Sequence, residues 1–267
     1  MTTQRIDSRR HDLVSRFRVL ANEADPVGHH LLLDGVHLVR DAHAAGLAFE
    51  SIVAAASAAT PGTEVGELVA VLRADGVEVV EASDRAFAAL SPVRTPSGLA
   101  AIVRRVPLSL ADLYARPTPL LVAAIDVQDP GNVGALLRAA EAGGITGALV
   151  CGGSASPFSW KAVRGSMGSV LRLPVVGGLA TQGLLDGLSA AGFRTVAATT
   201  HGGQDPDRVD WTGRRALLLG GEGAGLAPTL AEACHDRVSI PMAPPVDSLN
   251  VATAGAILIY AARRQRT

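Results

Sequence analysis

The chain has 267 residues, 48% of them hydrophobic and only 3% aromatic, so it can hold one large or two modest domains whose cores Ala, Val and Leu must fill, a composition that suits buried parallel strands. A formal net charge of −1 excludes a chain that is basic throughout, yet Arg5, Arg9, Arg10, Arg16 and Arg18 stand against only Asp7 and Asp12 near the start, and Arg263, Arg264 and Arg266 crowd the end. Cys151 and Cys234 lack Cys/His or C-x-x-C spacing, which excludes a disulfide scaffold or zinc site; the polar MTTQRIDSRRHD and the short apolar run VATAGAILIYAA (251–262) give neither a leader nor a membrane span, so a soluble, cytoplasmic protein is expected. All but one of the 24 basic residues are arginine, the better bidentate phosphate ligand, although a GC-rich genome gives the same bias.

Residues 12–28 read as a short basic helix and a loop. HLLLDGVHLVRDAHAAG (30–46) reads as a strand entering a helix that stops at Gly46. ESIVAAAS (50–57), a helix around 63–74 and VEVVEAS (77–83) continue a βαβ rhythm, and SPVRTPSGLAAIVRR (91–105) adds a turn and a strand. VPLSLADLYARPTP, with three prolines, is the linker candidate, which sets domains at 1–105 and 119–267 with a linker at 106–118. Strand-like runs then recur at LLVAAID (120–126), GALVCG (147–152), LRLPVV (171–176), FRTVAAT (193–199), RALLLG (215–220) and RVSIPM (237–242). Helical patterns lie between them, and a last helix covers about 248–264. This alternation predicts an α/β fold, a parallel sheet covered on both faces.

Three turns follow predicted strands, at the carboxyl edge where open α/β sheets bind ligands. In DPGNVGALLRAA (129–140), Gly131 or Asn132 caps a helix whose inward stripe is Val133, Leu136, Leu137 and Ala140. Arg138 points away from that stripe, as a solvated charge or as a group aimed at an anion near the helix start. LLLGGEGAGL (217–226) is glycine-rich, but Leu226 stands where G-x-G-x-x-G needs its third glycine and G-K-[ST] is absent, so a nicotinamide or P-loop reading fails. It leaves a tight turn with one carboxylate, Glu222, facing solvent or a backbone-lined pocket. In SIPMAPPVDSLNVATAGAILIY (239–260), Asp247 or Ser248 can cap the last helix, with Asn250 in its first turn.

DPGNVGALLRAAEAGG, LLLGGEGAGL with RVSIPM, and DSLNVATAGAILIY together resemble the SpoU/TrmH family of RNA ribose 2′-O-methyltransferases of the SPOUT superfamily, over roughly 119–264. HLLLDGVHLVRDA and VRTPSGLAAIV are similar to the ribosomal-protein-like α/β RNA-binding domain that often precedes this catalytic domain, with Asp34 where the family usually has Glu. The resemblance implies a parallel-sheet domain with a deep trefoil knot, a rarity among chain connections. It implies S-adenosylmethionine as cofactor, held at positions matching Thr199 or Thr200, Leu219, Gly220, Glu222, Gly223, Ile240, Met242, Ser248 and Leu249. The implied catalytic set is Asn132, Arg138, Glu222, Ser248 and Asn250. It also implies a homodimer in which Leu258, Ile259 and Tyr260 of the last helix take part, and no metal or membrane. The expected substrate is structured RNA, ribosomal in preference to transfer RNA; a non-catalytic RNA-binding protein of this fold is the competing reading from another class.

An arginine guanidinium, with a pKa above about 12, is a poor general base. The implied role of Arg138 is therefore to clamp the target phosphate and draw charge from the attacking oxygen, with Glu222 or the phosphate taking the proton.

Overall fold

The computed structural model describes residues 5–266; residues 1–4 and 267, the outer ends of the two expected domains, lie outside them. The N-terminal half runs β1 (Arg5–Ile6), α1 (Asp12–Asn22), β2 (His30–Asp34), α2 (Val36–Ala44), β3 (Ala48–Ala55), α3 (Glu64–Ala74), β4 (Val80–Ala82), α4 (Asp84–Leu90) and β5 (Leu99–Arg104). Its sheet has the order β1-β4-β3-β5-β2. β5 runs antiparallel to both β3 and β2, so this sheet is mixed where a uniform βαβ rhythm was expected. Local chemistry sets the helices: the Thr63 hydroxyl accepts from Gly66 N–H at 2.9 Å, capping α3.

The expected linker is not extended throughout. Ser109 and Asp112 form a reciprocal capping box that starts α5 (Leu110–Tyr114) between the prolines.

The second half runs β6 (Leu120–Ile125), α6 (Pro130–Ala142), β7 (Gly147–Cys151), α7 (Trp160–Gly165), α8 (Ser169–Arg172), β8 (Val175–Leu179), α9 (Leu184–Ala190), β9 (Arg194–Ala198), β10 (Arg215–Gly220), α10 (Pro228–Ala233), β11 (Asp236–Val238) and α11 (Val251–Arg264). LRLPVV is not one strand: Leu171 and Arg172 finish α8, Pro174 ends it, and β8 begins at Val175. RVSIPM pairs only as far as Val238, so Ile240 and Met242 lie in irregular chain.

The six strands have the order β11-β9-β10-β6-β7-β8 with every ladder parallel. Along β6, Leu120, Val122 and Ala124 feed one apolar cluster while Leu121, Ala123 and Ile125 feed another, which is why LLVAAI is apolar without alternation. The first cluster continues without a break into Leu31, Leu33, Val39 and Leu72 of the N-terminal half. Polar groups also cross this junction. Arg105 donates to the Val175 carbonyl at 2.7 Å and lies over the Phe158 ring, and Arg172 reaches Glu141 at 2.6 Å and Asp41 at 2.9 Å.

Burial acts to raise the Glu141 carboxyl pKa, but hydrogen bonds from Arg172 and Ser169 outweigh it and hold the group below its ordinary value. A depressed carboxylate stabilises the fold above its unfolded pKa, and that contribution is lost as pH falls through the folded value. With the Arg172 side chain 39% exposed, screening keeps the effect small. Arg172→Ala should lower stability by less than about 1 kcal/mol at about pH 7, and the difference should shrink as pH falls below the ordinary carboxylate range. Urea unfolding at neutral and at acid pH checks this.

Candidate active site

The strand order reverses beside β6, since the chain builds β7 and β8 on one side of it and β10 and β9 on the other. Such a switch point leaves a crevice at the carboxyl ends of the strands. Ile125 of β6 is level with Gly220 of β10, so the loops that follow them start side by side. They pack backbone to backbone: a Cβ on Gly221 would stand 1.9 Å from the Asp126 carbonyl oxygen. Only glycine permits that approach, and it aims the next residue, Glu222, across the crevice at the start of α6.

The cap of α6 is Asp129, not Gly131 or Asn132. Its carboxylate accepts from Asn132 N–H at 2.8 Å, with Pro130 at the first helical position. This leaves the Asn132 side chain available. Its amide donates to Glu222 Oε1 at 2.5 Å, and its Oδ1 accepts from Asn250 Nδ2 at 2.9 Å. Asn250, in turn, is the cap of α11, its Oδ1 accepting from Ala252 and Thr253 N–H, in place of the expected Asp247 or Ser248. Three side chains separated by 90 and 118 positions thus form one chain of hydrogen bonds across the N-termini of α6 and α11.

Close packing brings those two N-termini together. A Cβ on Gly255 would meet the Leu136 side chain at 2.4 Å and one on Gly143 would meet the Ile259 side chain at 2.1 Å, so α6 and α11 run alongside each other in the same direction, each seating a side chain of the other on a glycine. Both helix starts turn partial positive charge toward the crevice, a setting that favours an anion even with the N–H groups that Asp129 and Asn250 cap already bonded.

Arg138 is exposed and makes no hydrogen bond or ion pair among the described residues. Six residues beyond Asn132, it lies about 9 Å further along α6 and about 120° around it, so it approaches any bound group from another direction than Glu222 does. Ser248 is exposed, with its hydroxyl on Asp247 Oδ1 at 3.2 Å.

The remaining predicted positions line the same edge of the sheet. Thr199 N–H donates to the Val238 carbonyl at 2.9 Å, its hydroxyl lies 3.1 Å from Ser239 Oγ, and Ser239 Oγ accepts from Gly203 N–H at 2.9 Å. The loops after β9 and β11 are thereby tied together, with Thr200 exposed and Ile240 and Met242 partly so. Gly223 has a left-handed φ of 88° and open space around it, so its main-chain groups are accessible. Leu249 is 37% exposed, whereas Leu219 is buried at 2% and offers only backbone.

The predicted interface residues separate. Leu258 and Ile259 are buried in the chain's own core, while Tyr260 and Ile257 face outward on α11. Sequence reasoning missed Asp129, although Asp followed by Pro is a helix-start signature. It also missed Ser239, whose role as a tie between loops has no local signal.

A six-stranded parallel sheet with a carboxylate–amide cluster at its switch point defines the class, an α/β protein with a crevice at the carboxyl ends of its strands. Residues 119–260 match the model of the SpoU rRNA Methylase family, and the chain belongs to that family, whose members are S-adenosylmethionine-dependent RNA 2′-O-methyltransferases. The chain is 31% identical over 230 residues to the 23S rRNA (guanosine(2553)-2'-O)-methyltransferase RlmP of Bacillus subtilis, covering 86% of each. It is similar to the AdoMet-bound rRNA methyltransferase of Sinorhizobium meliloti, with TM-score 0.84 and 29% identity over 99% of both chains. The SpoU methyltransferase AviRb of Streptomyces viridochromogenes, solved with AdoMet, matches with TM-score 0.81 and 26% identity over 96% of this chain and 99% of that one.

Proposed function

We propose that this protein methylates a ribose 2′-hydroxyl of ribosomal RNA at the Glu222–Asn132–Asn250 cluster. The observation that carries the reading is the hydrogen-bond chain itself, which holds a carboxylate in place beside two helix N-termini. S-adenosylmethionine, when bound, supplies an electrophilic methyl group. The main-chain groups of 220–223, Thr199 or Thr200, Ile240, Met242 and Ser248–Leu249 would hold it. Their accessible backbone and the open cradle at Gly223 suit a ligand gripped largely through peptide groups.

A ribose hydroxyl is a weak nucleophile at neutral pH, so orientation and stabilisation of the developing alkoxide supply the rate. Asn132 fixes the Glu222 carboxylate, which or the substrate's own phosphate accepts the hydroxyl proton. Arg138, with no hydrogen bond or ion pair among the described residues, clamps that phosphate and draws charge from the oxygen. Residues 1–105 serve as the RNA-binding domain, 106–118 as the linker and 119–267 as the catalytic domain.

The reading includes a deep trefoil knot formed by the segment after β11. It is supported by that segment meeting the 199–213 loop at both ends, through Ser239 to Gly203, and through Gln265 and Arg266 to Trp211.

Mapping 2′-O-methylation in total RNA from cells with and without the gene tests the function. Loss of a single ribosomal site is the expected result. An intact ribosomal pattern with a lost transfer-RNA site would transfer the substrate to that class. The protein works as a homodimer through the outward face of α11, where Ile257 is 41% and Tyr260 47% exposed. Ile257→Lys should shift sedimentation from dimer to monomer and lower methyl transfer; a wild-type protein that is monomeric and fully active would refute the dimer.

A further inference from the structure

Away from the switch-point crevice, a cavity of about 560 Å³ opens between the two halves, within the ≈300–1,000 Å³ typical of small-ligand sites. One side comprises the start of α2, the start of α3 and the turn at Thr95 and Ser97; Arg164 and Met167, from the end of α7, form the other. Val36, Val65 and Met167 give it apolar walls, and the hydroxyls of Thr95 and Ser97 lie among its polar lining.

Its charges are unevenly committed. Glu64 is paired with Arg40 at 2.9 Å. Asp34 is buried and accepts from the Ser91 hydroxyl at 2.7 Å; burial pushes its carboxyl pKa up, against the hydrogen bond and the positive charge of Arg164. Arg164 itself is exposed; its charge acts on Asp34, but it makes no hydrogen bond or ion pair among the described residues, so its guanidinium donors are available. Gly35 caps α2 with no side-chain acceptor for the N–H groups of the first turn. The available donors of this cavity therefore suit a phosphate.

The cavity is also coupled to the candidate active site through α7. A Cβ on Gly134 of α6 would stand 2.5 Å from the Ala162 carbonyl oxygen, so α7 presses directly on the helix that carries Asn132.

We propose that this cavity receives one unstacked nucleobase of the substrate RNA, flanking the methylated nucleotide, with its phosphate on Arg164. The inference rests on the RNA methyltransferase reading and specifies how the substrate is engaged. Sequence-specific recognition of RNA targets bases splayed out of the helix, which stack on aromatic rings or guanidinium planes and hydrogen-bond along their edges. The cavity offers the His37 imidazole, the Arg164 guanidinium and the hydroxyl-bearing Thr95 and Ser97 from both halves at once, so it forms only when the halves are packed together.

The test uses the full-length protein with 4-thiouridine-substituted ribosomal RNA, prepared from cells that lack the gene. Arg164→Ala should weaken binding about tenfold and reduce the slope of log K against log salt by about one, the mark of one lost phosphate contact. Thr95→Trp, placed at an exposed lining position, should raise KM for RNA while cofactor affinity by calorimetry and kcat at saturating RNA stay near wild type. Photo-crosslinks should fall on the peptide containing Met167. Wild-type RNA affinity and salt slope in both folded variants, or crosslinks that avoid every cavity-lining residue, would overturn the proposal. A wild-type protein that binds no S-adenosylmethionine would instead overturn the methyltransferase reading, and crosslinks at Met167 would still be observed if the cavity holds RNA.

Discussion

Arg138→Lys should reduce kcat for methyl transfer by about 10²–10³, the usual cost of removing one charge-stabilising donor from a reacting oxygen. Lysine keeps the positive charge but not the planar fork that holds a phosphate through two parallel hydrogen bonds. The side chain is exposed and makes no hydrogen bond or ion pair among the described residues, so stability should change by no more than about 0.5 kcal/mol. Paired measurement of single-turnover rate and melting temperature separates the two effects. Arg138→Ala should cost more, since the charge goes as well. Near-normal turnover by the lysine variant would refute the bidentate clamp and leave Arg138 as a surface charge.

Asn132→Asp is expected to be comparably damaging for a different reason. The substitution preserves shape but replaces the amide that donates to Glu222 Oε1 at 2.5 Å with a second acceptor. Two carboxylates then share the site, like charges resist joint ionisation, and the acid limb of the pH–rate profile should move to higher pH. At neutral pH, kcat should fall by about 10²-fold, the scale of losing a positioned proton acceptor. Stability should respond little. An acidic residue in the first turn of α6 gains about 0.3–1 kcal/mol from the helix dipole, which offsets a repulsion of similar size at an exposed position. A variant as active as wild type at pH 7 would show that Asn132 does not hold Glu222 in its working position.

Much of the fold was legible because it depends on short-range patterns. The apolar runs of β6, β7 and β10 are continuous because both faces of each strand are buried, and the helices between them follow from periodicity and glycine stops. The failures were equally local in origin. LRLPVV has the composition of a strand, yet Ser169–Arg172 completes a helical turn before Pro174 because α8 packs against α6 and its Arg172 bridges Glu141 and Asp41. The resemblance implied an interface role for Leu258, Ile259 and Tyr260, but an apolar helix run does not disclose which residues its own domain will cover; the core took the first two and left Ile257 and Tyr260 outside.

The sequence by itself determined the alternation of strands and helices, the glycine-rich turn, and the polar residues that the family resemblance marked as a set. It could not determine that Asn132, Glu222 and Asn250 touch. That was decided by the lateral order of the strands, which sets β10 beside β6, and by the glycine-mediated contact of α6 with α11. The physical reason is range: caps and periodicity act over a few residues, whereas strand order and helix approach are set by burial among segments about a hundred residues apart, for which the chain carries no local signal.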